Sequence, residues 1–306
     1  MDGKLGSIFT MRAAKVAAVV GVGYFLLPYF RDMVLFRLQP FFMHKFHKAV
    51  EEIKAPLFQL LAEHGQSNDG TAKSVRILEI GAADGLNLPC FPPGARVVAV
   101  EPFGKFRWKF ERRLSEVNAN RGRSQPEVRL EAWYSINAEE LLKFTKPPYS
   151  DQPVFSSDES PIGHFDVVLS TFTLCSVRDP QLVLRICTHL VKPWKIPALL
   201  KPLFPSHFFP ISNRLNVSQG GLLLFVEHIR PDSRILQVLN FMIQPLWSWI
   251  FAGCRLLREP HLLIQSEPEL TQAWEVLYCK LSKIPGAPSL NPVRCVVAMA
   301  ARRRCS

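Results

Sequence analysis

The sequence predicts an α/β fold: a three-layer sandwich on a mostly parallel sheet, ending in an antiparallel hairpin and preceded by a hydrophobic segment. Three observations predict it. Short apolar, β-rich runs alternate with helical stretches. The first of those runs ends in a glycine-containing turn. The last two follow one another with no helix between them. A chain of 306 residues, 48% apolar and 21% charged, can bury a full core, and wholesale disorder is excluded. The formal charge of +11 points to an anionic partner, either nucleic acid or an acidic membrane surface. Its distribution favours the membrane. Lys4, Arg12, Lys15, Arg31, Arg37, Lys45 and Lys48 are interleaved with greasy sequence in the first fifty residues. No basic-and-aromatic surface for bases is legible, so no nucleic-acid partner is expected.

Residues 1–40 read as a hydrophobic anchor and 41–306 as the folded domain. "AAKVAAVVGVGYFLLPYF" (13–30) is apolar apart from Lys15, and shorter than the roughly 20 residues of a spanning helix. A cleaved signal, a short span that tolerates Lys15, and a monotopic anchor bending at Pro28 all fit this composition. No small-x-small cleavage site stands before "LLPYFRD", which favours an uncleaved anchor. "FHKAVEEIKAPLFQLLAEHG" follows as one amphipathic helix, with Val50, Ile53, Leu57, Leu60 and Leu61 on one face. Pro56 is expected to kink it and Gly65 to stop it.

"VRILEI" (75–80) is nearly all apolar, as befits a strand buried on both faces. It runs into Gly81-Ala82-Ala83-Asp84-Gly85, where small residues let a ligand approach the backbone. A second strand, "ARVVAV" (95–100), ends at Glu101, 20 residues after Gly81. In a Rossmann-like parallel sheet that acid stands where it can accept from two ribose hydroxyls. A dinucleotide fingerprint does not fit. Ala83 replaces its middle glycine, Asp84 puts negative charge where a pyrophosphate would lie, and Pro89 cuts short the following helix. What remains is an acid-x-Gly-x-x-x-Gly turn, Glu79 to Gly85, followed by a ribose acid. That arrangement suits a cationic nucleoside without phosphate, and the cofactor implied is S-adenosylmethionine.

Later segments continue the alternation. "EVRLEAWYS" (127–135) reads as a third strand, and "HFDVVLSTFTLCSV" (164–177) holds a fourth, ending near Ser170 and Thr171. "DPQLVLRICTHLVKP" (179–193) is a helix with Asp179 as its N-cap and Pro180 in its first turn. "GGLLLFVEHI" (220–229) is a fifth strand, and "WEVLYCKL" and "VRCVVAMAAR" form the closing hairpin. "QPLWSWIF" (244–251) reads as a substrate-cap or membrane-facing helix, with core packing as its rival.

In its loop and acid the chain resembles the class I S-adenosylmethionine-dependent methyltransferases. "LEIGAADGLNLPCFPPGARV", "DVVLSTFTLCSV", "GGLLLFVEHI" and "QPLWSWIFAGCRLLREP" together resemble the methyltransferase-like 7 family, membrane-bound thiol S-methyltransferases. The resemblance implies that Gly81, Ala83 and Gly85 line the methionine end of the cofactor and Glu101 holds the ribose. It places Ala138 and Glu139 along the adenine, and makes Ser170 and Thr171 close the pocket. It further implies a small, lipophilic thiol as methyl acceptor, and endoplasmic reticulum or lipid-droplet membranes as the location, with the catalytic domain facing the cytosol. A lipid or small-amine acceptor, and a non-catalytic protein on a decayed fold, are the alternatives. His228, beside Glu227 at the end of the fifth strand, is the candidate for deprotonating or orienting the thiol.

Seven cysteines, Cys90, Cys175, Cys187, Cys254, Cys279, Cys295 and Cys305, are odd in number and form no C-x-x-C pair. Spacing therefore predicts neither a disulfide framework nor a metal site, and Cys175 and Cys254 read as small buried hydrophobes. Residues 194–219, "WKIPALLKPLFPSHFFPISNRLNVSQ", depart from the family pattern with four prolines where a tight turn is expected. A lipophilic flap, a further membrane contact and a translated intron are the readings they allow. "PPYSDQPVFSSDESPIG" (147–163) reads as a polar loop.

Overall fold

A computed structural model describes residues 26–66, 73–122, 125–145, 165–192 and 220–304. The apolar run before residue 26, the loop at 147–163 and the insert at 194–219 lie outside these. Seven strands form one sheet: β1 (Arg76–Ile80), β2 (Arg96–Val100), β3 (Arg129–Tyr134), β4 (Val167–Thr171), β5 (Leu222–Ile229), β6 (Trp274–Lys283) and β7 (Cys295–Arg303). Their order is β3-β2-β1-β4-β5-β7-β6. The first five strands are mutually parallel, while β7 runs antiparallel to both β5 and β6. The expected strands are all present, with each end at or within three residues of the position read from the sequence.

The central strands are apolar throughout because helices cover both sheet faces. β5 is buried at every position. On one face Leu78, Val98, Val168 and Phe225 pack under α4 (Pro180–Leu190), α6 (Pro260–Ser266) and α7 (Pro268–Ala273). On the other, Ile77, Val97, Leu169 and Leu224 meet α2 (Glu51–His64), through Ile53, Leu57 and Leu61, and Phe110 of α3 (Arg107–Ala119). Asp179 caps α4 as expected, its carboxylate accepting from the Leu182 N–H at 3.0 Å.

The amphipathic segment differs from expectation in where it breaks. Val50 leaves helical geometry and separates α1 (Gln39–Ala49) from α2, whereas Pro56 sits inside α2. The helix over "QPLWSWIF" is also longer than predicted: α5 spans Arg234–Ile250 and carries Pro245 within it. Helical residues 26–33 continue into a π turn, Val34–Leu38. That turn packs on the domain, with Phe36 against the rings of Phe103 and Phe106, and Lys105 pairs with Asp32. Among the described residues no helix is long and apolar enough to cross a membrane.

Phe225 fills the middle of β5 and is fully buried. Phe225→Ala is expected to lower unfolding free energy by about 3–5 kcal/mol in urea titration. A loss under about 1 kcal/mol would remove β5 from the centre of the core.

Candidate active site

Strand order reverses between β1 and β4, so the chain leaves the two strands in opposite directions and opens a crevice at their carboxyl ends. A cavity of about 460 Å³ lies there, within the range of small-molecule sites of about 300–1,000 Å³. The segments following β1, β2, β3 and β4 form its floor and walls. Arg31, Met43 and His47 reach it from the amino-terminal helices, and Phe251 and Gly253 from the end of α5. The expected anchor region therefore contributes to the site wall.

The turn after β1 is held open by backbone conformations that few residues take. Gly81, Ala83 and Gly85 have φ of 74°, 41° and 77°. A Cβ on Gly81 would stand 1.9 Å from the Thr173 hydroxyl oxygen, so glycine is needed there for space as well as for φ. Ala83 carries the positive φ at a steric cost of about 1–2 kcal/mol. That strain is stabilised by Glu101, whose Oε2 accepts the Ala83 N–H at 3.2 Å. Its Oε1 accepts the Phe103 N–H at 3.0 Å. Each oxygen keeps acceptor capacity for a ligand, and Glu101 lines the cavity. Burial pushes its pKa up to about 7, against the pull of the Phe103 and Ala83 N–H groups.

Of the other nominated residues, Gly81, Ala83, Ala138, Glu139 and Thr171 line the cavity, whereas Glu79, Gly85, Ser170 and His228 do not. Glu79 lies one layer below. Its Oε1 accepts from Asn87 Nδ2 at 2.8 Å, and the same Asn87 nitrogen donates to Thr171 Oγ1 at 2.8 Å. Glu79 Oε2 is buried without a hydrogen-bond partner in the described structure, and burial raises this carboxyl to about 7. Glu139 Oε1 accepts the Arg178 N–H at 2.6 Å, so this acid is partly engaged in holding the loop before α4. Ser170 turns its hydroxyl to Glu227 at 3.2 Å. His228 is buried behind the wall, with Nε2 2.9 Å from Cys254 Sγ. It does not touch the cavity as a direct base would.

Sequence reasoning passed over two residues that build the wall. Buried Glu227 accepts the backbone N–H groups of Thr173 and Leu174 at 2.8 Å each, and that of Cys175 at 3.3 Å. Arg258 takes the carbonyls of the same segment: Leu174 at 3.0 Å, Cys175 at 3.1 Å, Arg178 at 2.9 Å, and Val177. The signal for Glu227 was a charged residue inside an otherwise apolar strand, since such a group needs partners when buried. Asn87 and His47 were also missed. His47 contacts Lys54 Nζ at 3.1 Å, and burial together with that cation lowers its pKa to about 3.

Whether S-adenosylmethionine suits this cavity can be judged from the donor set. Asp84, Glu101 and Glu139 line it, with Glu79 beneath, and the arginines Arg31 and Arg178 line it as well; the acids Asp84 and Glu101 are the ones that flank the turn after β1. Arg113, which pairs with Asp84 at 3.1 Å, is not among its lining residues. Carboxylates favour an ammonium, a sulfonium and hydroxyl groups, and they disfavour phosphate. The residues fit.

No protein-family model matches the chain. It is 28% identical over 214 residues to thiol S-methyltransferase TMT1B of Rattus norvegicus, covering 70% of this chain and 66% of that protein. It is 23% identical over 221 residues to thiol S-methyltransferase TMT1A of Homo sapiens, covering 72% and 70%. The chain thus spans about two thirds of the length of these curated relatives. Among solved structures, it is similar to the N-methyltransferase NodS of Bradyrhizobium japonicum in complex with S-adenosyl-L-homocysteine, with a TM-score of 0.46 and 13% identity over 83% of this chain and 87% of that one. The chain is thus similar in sequence to the thiol S-methyltransferases, and its own sheet, five parallel strands extended by an antiparallel pair, is Rossmann-like.

Proposed function

We propose that the chain transfers a methyl group from S-adenosylmethionine to a small lipophilic acceptor, an aliphatic thiol, at an endoplasmic-reticulum or lipid-droplet surface. The observation that carries this reading is Glu101 in the cavity at the switch point, offering both oxygens beside a turn open to close approach. The similarity to TMT1A and TMT1B supports the thiol. Exposed apolar side chains support the membrane setting. Leu26, Tyr29, Phe30, Phe41 and Phe42 of the amino-terminal helices, and Ile235, Phe241, Met242 and Leu246 of α5, face solvent on the elements that reach the cavity.

When bound, the cofactor supplies a methyl group already activated on a positively charged sulfur. The protein then has to position, and little else. Glu101 would hold the ribose diol, while Asn87, fixed between Glu79 and Thr171, sets the floor. Glu227 holds Thr173 and Arg258 holds Val177, fixing the segment that forms one wall of the cavity. His47, at a pKa of about 3, is neutral at pH 7 and too weak a base to retain a proton. None is required. A thiol with a pKa of about 8.5 is already a few per cent thiolate at neutral pH, and orientation in a dry site supplies most of the acceleration.

Calorimetry with S-adenosylmethionine is expected to show binding that Glu101→Ala weakens by about 1–3 kcal/mol, roughly 5- to 150-fold in Kd. Unchanged affinity in that variant would remove Glu101 from the site.

The pH dependence has a defined sign. Glu79 and Glu101 have folded-state values of about 7 against 4.5 in an exposed carboxyl, so the folded protein holds more protons between those limits. Stability therefore falls as pH rises through that window, and a cationic ligand offsets the loss. The thermal shift produced by S-adenosylmethionine should grow from pH 6 to pH 8, and grow less in Glu101→Gln. A shift that shrinks over that range contradicts the assignment.

Arg258→Lys keeps the charge but loses the planar fork that spans several carbonyls. It should reduce kcat/KM at least tenfold while the fold persists, as judged by circular dichroism. Methyl transfer from labelled cofactor should reach an alkyl thiol in preference to lipid extract or amines. Labelling of lipid or amine alone overturns the thiol, and no labelling with no cofactor binding favours a non-catalytic protein.

A further inference from the structure

Three side chains that linear spacing keeps apart meet behind the cavity wall. Cys175 follows β4, His228 lies near the end of β5, and Cys254 follows α5. All three are buried, and one ligating atom from each lies within 4.8 Å of the other two. Cys254 Sγ is 2.9 Å from His228 Nε2 and accepts from Trp247 Nε1 at 3.2 Å. His228 Nδ1 has no hydrogen-bond partner in the described structure, so the sulfurs are what this imidazole meets. We infer that Cys175, His228 and Cys254 form a binding site for a thiophilic divalent cation, Zn²⁺, separate from the cofactor cavity.

Donor type, charge and distance agree. Two thiolates and an imidazole are the ligands that zinc prefers. Two negative sulfurs neutralise a dication, so the ion can be buried without leaving net charge in the core. With Zn–S of about 2.3 Å and Zn–N of about 2.0–2.1 Å, a tetrahedral ion spaces its donors roughly 3.5–3.8 Å apart. The present spacing reaches that through adjustments of about an ångström. Binding exchanges one Zn²⁺ for two thiol protons, which leave to solvent, and no electron transfer is involved. Without the ion, hydrogen bonding to Cys254 and burial hold the proton on Cys175. Three protein ligands leave the fourth position to water or another small ligand.

The location gives the ion a mechanical role. The Arg255 N–H already donates to the Cys175 carbonyl at 2.9 Å, so the segments carrying the two cysteines run side by side. Their neighbours Ser176 and Gly253 both line the cavity. An ion joining Cys175 to Cys254 would fasten those two pieces of wall, with His228 tying both to β5. The proposal does not depend on which acceptor is methylated.

The test uses the full chain purified under reducing conditions, with Co²⁺ as a spectroscopic substitute for Zn²⁺. Titration should saturate at one equivalent, with a near-ultraviolet thiolate-to-cobalt band and the visible bands of a tetrahedral ion. Zn²⁺ should abolish both stoichiometrically. Cys175→Ser and Cys254→Ser should each lose the band at one equivalent, whereas Cys90→Ser at an exposed position should keep it. Saturation with Zn²⁺ should also raise the Tm of the wild-type chain, a readout that stands if a variant fails to fold. No thiolate band in the wild-type chain overturns the proposal. So does a Cys175–Cys254 disulfide in that preparation, seen by peptide mass mapping. S-adenosylmethionine binding, measured calorimetrically on the same sample, shows separately whether the cofactor site is intact.

Discussion

The carboxylate of Glu227 is the point from which one wall of the site hangs. It lies in β5, the most deeply buried strand, and has no access to water. A carboxylate in that position is tolerated only with several donors, and the chain supplies them from its own backbone. Three successive N–H groups, Thr173 to Cys175, and the Ser170 hydroxyl converge on it. The segment leaving β4 is thereby fixed against the neighbouring strand. Its own left-handed residue, Phe172 with φ of 57°, is the conformational cost of that path. Arg258 completes the arrangement by collecting the carbonyls that Glu227 cannot. One segment is gripped through its donors on one side and its acceptors on the other.

The opposite wall follows from the same need for close approach. Thr173 stands where a Gly81 side chain would be, so the turns after β1 and β4 fit only because one is glycine. Glu101 then satisfies the Ala83 N–H that the strained turn turns toward it. The cavity between these turns is lined by Asp84, Glu101 and Glu139 and by Arg31 and Arg178. At the turn itself, Asp84 and Glu101 stand where other sheets of this kind hold a phosphate.

Much of the fold was legible because strand burial and period are local properties. "VRILEI", "ARVVAV" and "GGLLLFVEHI" could hardly be anything but inner strands, and Asp179-Pro180 marks its helix start without help from tertiary contacts. Helix breaks were less legible. Pro56 looked like the kink, yet the chain breaks at Val50, since the proline ring is accommodated inside α2 and packing decides the rest. Within the site, the glycines and Glu101 could be read because turn chemistry and spacing announce them. Ser170 and His228 could not, because strand ends alone do not say which side chain turns to the ligand and which to the next strand. Glu227 took the Ser170 hydroxyl, and Cys254 took the imidazole. The meeting of Cys175, His228 and Cys254 is a product of topology, and no linear spacing encodes it.

Asp84 and Glu101, beside the turn after β1, are the groups proposed to admit a cationic sulfur nucleoside and to refuse a pyrophosphate. Side-by-side equilibrium titrations of the full chain with S-adenosylmethionine and with NAD⁺ test this most directly. Saturable, one-to-one binding of the former is expected, with no measurable binding of the pyrophosphate-bearing ligand at matched concentrations. Equal or tighter binding of NAD⁺ would contradict it.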